Sequence, residues 1–373
     1  MINHFFRNHE AVKLTLDYPI LTPLIIYGAL FALIFYPKKY TKSTSFLGRE
    51  VTDQFRGLAI LLVVVGHISV HTLEARQQIY FPVFGQYGVS IFFLLSGFGL
   101  ARSYANRSLQ LCDFFKRRLT KVMIPYWIVT IIIVITDSIF LARGYRLNDI
   151  LATMLGFNSS RIVQIIDYVR WYITVLLAWY LFFVFFWKIS NRKKIRAVCC
   201  LSTGVLLVWG NYYYLNIGYA FLSFPCGVWL ALYYDTVHAW YLRFNRKMLL
   251  LSAVSAIMVN YLFQSYLYDR IDIFLPSVGV AFISECSWIL VSLSLIVIGL
   301  LLMPYHSLLL SNFGTYSYSI FLLHGCLMVK YDFILYRGYL FITFWIYLLF
   351  VIFLSINVEK YVFRKISKVK LLS

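Results

Sequence analysis

The chain has 373 residues, of which 61% are hydrophobic and only 13% are charged, and its mean hydropathy is +0.76. This composition excludes a soluble globular protein and indicates an integral membrane protein. The 34 Lys and Arg against 15 Asp and Glu give a formal charge of +19, which in a membrane protein indicates orientation and contact with the anionic lipid bilayer, not binding of nucleic acid.

Apolar runs recur along the whole chain. A helix that crosses the bilayer needs about 20 mostly apolar residues. The first run, 18–36, precedes PKKYTK and not a small-residue cleavage site, so we interpret it as a retained helix and not as a signal peptide. The segments that qualify are 18–36, 56–73, 83–101, 121–141, 169–188, 197–212, 217–234, 248–266, 278–302, 313–330 and 339–358. They predict an all-α, polytopic membrane helical bundle of about 10 to 11 transmembrane helices.

Lys and Arg are unevenly divided between the two sides that these segments define. The connections on one side carry 24 and those on the other carry 10, without a skipped segment. By the positive-inside rule we expect the side with 24, which includes the C-terminus, in the cytoplasm and the N-terminus outside. The six cysteines show no CxxC or metal-ligand spacing, so no metal site is predicted.

An arginine and a histidine share one face of the second segment, RGLAILLVVVGHIS. Arg56 and His67 are 11 residues apart, which on a helix is about three turns and about 16 Å. We expect Arg56, close to Asp53, at the cytoplasmic edge and His67 near the middle of the membrane. The spacing leaves two interpretations open: an end anchor with a packed interhelical histidine, or a general base in a buried cavity.

Further motifs follow in a fixed order. DQFRGLAILLVVVGHIS is followed by GVSIFFLLSGFGLARS, FFKRRLTKVMIPYW and FGTYSYSIFLLHG, and Glu359 lies near the basic end. In motif order and spacing the chain resembles the membrane-bound acyltransferase-3 family of bacterial O-acyltransferases, from Asp53 to about Arg364. We therefore divide it into an N-terminal segment with one additional transmembrane helix, 1–52, and an acyltransferase-like transmembrane domain, 53–373. It departs from the family in having Lys121 where a second arginine is common, and we expect no extracytoplasmic hydrolase-like domain after the last helix.

The resemblance implies an enzyme of the inner membrane that moves an acyl group, most often acetyl, from cytoplasmic acetyl-CoA to a hydroxyl of an envelope polysaccharide or glycolipid. His67 would be the base, with direct transfer and an acyl-histidine intermediate both open. Arg56 would either steer the donor or hold the helix register by pairing with Asp53. Arg117, Arg118 and Lys121 would bind the phosphates of the acyl-CoA donor.

Further charged, polar and aromatic residues lie in or near the predicted spans. Arg102, Arg107 and Lys116 are interpreted as charges that follow the positive-inside rule. Asp137, near an outer helix end, is interpreted as hydrated. The residues considered for the acceptor site or a proton relay are Ser96, Glu285, His324 and Trp171. Close packing remains open for Ser96 and His324, an interfacial aromatic belt for Trp171, and simple pairing for Glu285.

Two other functions remain open. A proton-coupled transporter or flippase of envelope glycan precursors would use Arg56, His67 and Glu285 as a path and would not need acyl-CoA. A scaffold in envelope assembly would retain its function without His67.

Overall fold

The computed structural model describes residues 14–16, 18–34, 38–39, 45–72, 83–105, 107–159, 166–267, 276–302, 305–331 and 334–363. These residues form an almost entirely helical bundle, which confirms the predicted all-α class. The helices are α1 (Leu21–Ile34), α2 (Arg49–Val70), α3 (Phe84–Ser103), α4 (Leu111–Arg118), α5 (Ile124–Phe140), α6 (Leu147–Met154), α7 (Trp171–Ile189), α8 (Lys193–Gly210), α9 (Ser223–Leu232), α10 (Tyr234–Arg243), α11 (Arg246–Leu262), α12 (Ser277–Leu301), α13 (Leu308–Thr315), α14 (Ser317–Val329) and α15 (Leu340–Asn357).

Short irregular turns connect or extend these helices. The π-helical turns are Leu119–Met123, Asn211–Leu215, Phe263–Leu267 and Val358–Phe363, and a 3₁₀ turn covers Tyr168–Arg170. Two-residue strands β1 (Lys38–Lys39) and β2 (Tyr305–His306) pair with each other in antiparallel orientation.

Each of the predicted spans coincides with a helix, although some end residues of those spans lie outside the described residues. The helices long and apolar enough to cross a membrane, within the described ranges, are the seven at Arg49–Val70, Phe84–Ser103, Leu111–Phe140, Tyr168–Ile189, Lys193–Leu215, Ser277–Leu301 and Leu340–Phe363. α1, α9 and α14 are shorter apolar helices. α9 is shorter than its predicted span because the chain turns before it, with positive φ at Asn216 (44°) and Ala220 (63°).

α2 begins earlier than the sequence indicated. It starts at Arg49 because the polar residues before Arg56 continue the helix: Asp53 contacts Arg49 one turn before it and Arg56 one turn after it. Arg56 therefore lies two turns inside α2. His67 lies in the last turn, not at the centre of the helix.

Small residues let the central helices approach closely. A Cβ on Gly97 of α3 would collide with the backbone carbonyl of Phe224 in α9, and one on Gly227 of α9 would collide with that of Leu94 in α3. Such close contacts are typical of helix packing in membranes, where dispersion between backbones replaces the hydrophobic effect. The backbones of α3 and α9 therefore pack directly against each other.

The bundle has two ends, which we name by the residues of α2. The Arg56 end includes the start of α2, the end of α3 and the start of α14, where the Tyr318 hydroxyl donates to the Val122 carbonyl (2.8 Å). The His67 end includes the end of α2, the end of α5 and the segment before α7, where the Tyr168 ring lies against the His67 ring. α2 and α14 both run from the first end to the second.

Candidate active site

The histidines of two sequence motifs meet at the His67 end. Nδ1 of His67 lies 2.9 Å from Nε2 of His324, and the two rings are stacked with centroids 5.1 Å apart and planes within 2°. His324 is fully buried, whereas His67 is partly exposed. α2 and α14 therefore form one imidazole pair in which one member is accessible.

The hydrogen-bond pattern assigns the protons of this pair. Nδ1 of His324 lies 3.1 Å from the carbonyl of Ile320 and 2.9 Å from that of Phe321. Carbonyl oxygens only accept, so Nδ1 of neutral His324 carries the proton and its Nε2 is an acceptor. Nδ1 of neutral His67 then donates to that acceptor, which leaves Nε2 of His67 without a proton. This is the tautomer that a general base requires.

The segment before α7 lies against His67 and against the backbone next to His324. The Tyr168 ring meets the His67 ring edge-on at 5.3 Å, and the carboxylate of Asp167 packs against Gly325, next to His324. The site is thus enclosed by three parts of the chain that are far apart in sequence.

Arg56 does not contact the histidine pair. It forms an ion pair with Asp53, and about 37% of its side chain is exposed. Its charge acts on the hydroxyls of Tyr172 and Tyr180, which project from α7.

The predicted basic trio spans two elements, because Arg117 and Arg118 end α4 and Lys121 lies in the π-helical turn Leu119–Met123. Arg118 points inward, with its guanidinium 5.3 Å from the Phe114 ring and 5.1 Å from the Tyr180 ring. Its Nε is buried and, among the described residues, without a hydrogen-bond partner. Lys121 is exposed. Arg117 is also exposed, and it lines a cavity instead of pointing inward like Arg118. A π-helical turn of this kind frequently marks a functional site.

Arg117 lines a cavity of about 620 Å³ at the Arg56 end. Arg102 and Arg107, which the sequence assigned to orientation alone, line the same cavity, and Asp113 is the acidic residue in its lining. A smaller cavity of about 240 Å³ shares Arg107 and adds Lys188. Several cationic side chains around one cavity can bind a polyanion.

Buried hydroxyls lie between the arginines and the histidines. Ser96 of α3 lies close to the Tyr172 hydroxyl, and the Tyr172 ring packs 5.0 Å from that of Phe321 in the turn before His324. The Tyr318 hydroxyl lies near the hydroxyls of Tyr172 and Tyr180. We call Ser96, Tyr172, Tyr180 and Tyr318 the hydroxyl row. Ser96 thus belongs to this row and not to the histidine pair.

Glu285 and Trp171 belong to a second group near the start of α9. The buried Glu285 carboxylate accepts from the backbone N–H of Leu222 at 3.1 Å, at the N-terminus of α9, where a negative charge is favourable. The Trp171 ring packs on Tyr219 with centroids 4.4 Å apart. Neither residue has a described contact with His67, so their part in acceptor binding or proton relay stays a prediction.

Buried ion pairs at the His67 end were missed from the sequence. Lys330 lies 2.9 Å from Asp137, and both side chains are at most 2% exposed, so the interpretation of Asp137 as hydrated is wrong. Tyr331 also donates to Asp137, and burial followed by this hydrogen bond raises the pKa of Tyr331, which keeps its phenol protonated. A lysine at the end of an apolar helix was the available signal, because such a charge requires a partner.

A family comparison agrees with this architecture. The family model described as an acyltransferase domain, the acyltransferase-3 family, matches residues 52–358. The chain belongs to this family of multi-pass membrane acyltransferases. No curated protein and no solved structure matched the chain. The matched range starts after α1, and the predicted division at 52/53 stays a prediction.

Proposed function

We propose that the chain is an acyl-CoA-dependent O-acyltransferase that acetylates a hydroxyl of a cell-envelope polysaccharide or glycolipid at the inner membrane. The observation that carries the proposal is that the bundle combines a candidate general base with a candidate anion-binding cavity. An imidazole with a free ring nitrogen lies at one end of the bundle, and arginines surround a cavity at the other.

The cavity at the Arg56 end suits the donor. Coenzyme A carries several phosphate charges, and guanidinium groups bind phosphate through charge-assisted hydrogen bonds. Arg102, Arg107 and Arg117 would hold those phosphates. Arg118, which has a buried donor without a described partner, would bind a polar group of the donor arm deeper in the bundle.

The hydroxyl row supports passage of the acyl end towards His67. Its side chains are buried or half-buried and lie between Arg118 and the histidine pair. Arg56 and His67 are about 16 Å apart along α2, so the donor has to reach across much of the bundle. Tyrosine and serine hydroxyls both donate and accept, which suits the amide groups of a pantetheine arm.

His67 would act as the general base in direct transfer. Its Nε2 removes the proton of the acceptor hydroxyl while that oxygen attacks the acyl carbonyl carbon. The C–S bond breaks, the thiol sulfur takes the electron pair and then the proton, and an ester and free coenzyme A result. Because His67 is partly exposed and His324 is not, the acceptor would approach from the His67 side of the pair.

A proton-coupled transporter or flippase is the second candidate. The buried ion pairs Lys330–Asp137 and Arg170–Asp167 favour it, because intramembrane charges often mark substrate or proton paths. It requires a proton gradient and no acyl donor, and it gives the arginine-lined cavity no purpose.

Transfer from labelled acetyl-CoA by the protein purified in detergent tests the proposal, with His67→Gln and Arg107→Gln beside the wild type. We expect His67→Gln to lower kcat by about 10² to 10⁴ and Arg107→Gln mainly to raise the donor KM, by about 10-fold, through loss of a charged hydrogen bond. His238→Gln is the matched control, because His238 stacks on Phe46 at the surface of α10. A wild type that neither binds nor consumes acyl-CoA, but moves glycan precursors under a proton gradient, would overturn the proposal in favour of transport.

A further inference from the structure

The five residues that lead into α7, Ile166–Arg170, touch the histidine pair from outside the family motifs quoted above. Tyr168 covers His67, as described. Asp167 lies beside the residue that follows His324: a Cβ on Gly325 would be 3.0 Å from Oδ1 of Asp167, so this carboxylate packs against the backbone next to His324. Its charge acts on the His324 ring.

Asp167 is buried with an incomplete set of partners. Its Oδ2 lies 3.5 Å from Nε of Arg170, and both side chains are about 1% exposed. Within the described part of the chain, neither oxygen of Asp167 accepts a hydrogen bond. A buried carboxylate in this state is costly, because it loses water without gaining donors. The fold therefore keeps a charge here that packing alone would not require.

Other residues hold this carboxylate in place. Arg170 donates to the Thr130 hydroxyl, and its guanidinium lies 4.9 Å from the Tyr126 ring. Lys330, which pairs with Asp137, also donates to the backbone carbonyl of Ile166, next to Asp167. The end of α14 thus fixes the segment whose carboxylate lies beside its own histidine.

We propose that Asp167 is a positioning residue for proton transfer: its carboxylate compensates the positive charge that His67 and His324 share after His67 has taken the acceptor proton. The inference rests on the proposed function. His67 gains the proton at Nε2, and its Nδ1 proton can pass to Nε2 of His324 across the 2.9 Å contact, so the two rings share one added proton. No oxidant or further reactant is needed.

The surroundings leave Asp167 as the compensating group. Among the described residues, the other titratable or charged side chains around the pair are His71 just after α2, Tyr168 and Arg170 beside α7, Cys326 and Lys330 on or after α14, and Asp137 on α5. Asp137 is already held by Lys330 and two tyrosines, Tyr145 and Tyr331. The carboxylate of Asp167 retains free lone pairs and lies against the helix of His324.

The test compares rate–pH profiles of acetyl transfer for Asp167→Asn and the wild type. We expect the acidic limb of kcat/KM to move to lower pH by about one unit, because the protonated imidazole loses its counter-charge, while the donor KM stays unchanged. Gly325→Ala is a second variant that keeps both charges but pushes the carboxylate away, and we expect a smaller shift in the same direction. Asp149→Asn, the same isosteric change in the first turn of α6, is the matched control and should leave the pH profile unchanged.

A readout independent of turnover separates the two proposals. Carbethoxylation of His67 by diethyl pyrocarbonate, followed by mass spectrometry across pH, should show the same displacement of its midpoint in Asp167→Asn. If the wild type transfers no acyl group but the midpoint moves, the proposed function fails and the charge coupling stands. If the wild type is active and neither profile nor midpoint moves in either variant, Asp167 has no such role. Should Asp167→Asn fail to fold, Gly325→Ala decides.

Discussion

A histidine removes a proton only through a ring nitrogen that carries none, so the group that fixes the tautomer of His67 decides whether it can act as a base. His324 does so by its own surroundings. Its Nδ1 faces two carbonyl oxygens of its own helix, and its Nε2 therefore faces His67 as an acceptor. The backbone of α14 thus determines the proton position on a ring in α2.

Replacing His324 by Ala removes the acceptor for Nδ1–H of His67 and lets that ring turn or change tautomer. We expect kcat to fall on the order of 100-fold. The donor KM should stay near its wild-type value, because the arginine-lined cavity is at the opposite end of the bundle. Steady-state kinetics with varied acetyl-CoA measures both quantities.

The conservative variant His324→Gln provides the rescue test, since its amide oxygen can again accept from His67. Its kcat should lie between those of the wild type and His324→Ala. A wild-type kcat in His324→Ala would mean that the ring of His67 is oriented by other contacts, such as the Tyr168 edge.

At the scale of helices, the SGF motif has two separate tasks. Ser96 lies close to the Tyr172 hydroxyl of α7, whereas Gly97 allows α3 to pack directly on the Phe224 carbonyl of α9. The same short motif thus contributes to the hydroxyl row and to the contact that holds α3 and α9 together.

Gly97→Ala should destabilise the protein, because the new Cβ would overlap the backbone of α9 and force the helices apart. Overpacking of this kind costs about 1–3 kcal/mol of unfolding free energy. Thermal unfolding in detergent should show a lower Tm than that of the wild type.

Gly99→Ala is the matched control two residues along the same helix, where an added Cβ meets nothing within 4 Å. It should leave Tm unchanged or raise it, since Ala is favoured over Gly inside a helix by about 0.5–1 kcal/mol. Equal Tm values for the two variants would show that the α3–α9 contact has room for a methyl group.

For the whole molecule, the sequence predicted the helices, but it did not predict which side chains meet between them. Runs of apolar residues reveal each span because bilayer thickness sets a minimum length. The contact between His67 and His324 joins positions 257 residues apart, so periodicity carries no signal for it. The same holds for Lys330 and Asp137, 193 residues apart. The π-helical turn at Leu119–Met123 was also invisible, because it arises from packing and not from composition.

The orientation of the molecule decides from which side the donor can enter. With 24 Lys and Arg on one side and 10 on the other, we expect the Arg56 end, with its arginine-lined cavity, in the cytoplasm where acyl-CoA is made. Cys112, which is exposed at the start of α4, is a native reporter for that end. With Cys286 replaced by Ser, a membrane-impermeant maleimide should label Cys112 in inside-out vesicles and not in right-side-out ones.

Gly144, between α5 and α6, reports on the other side, because a side chain there meets nothing within 4 Å. In a chain that also carries Cys112→Ser, Gly144→Cys should label only in right-side-out vesicles. The opposite pattern at both positions would put the arginine-lined cavity outside the cell, where no acyl-CoA is available. The cavity could then not bind the acyl-CoA donor. This result would contradict the proposed transferase function and favour transport.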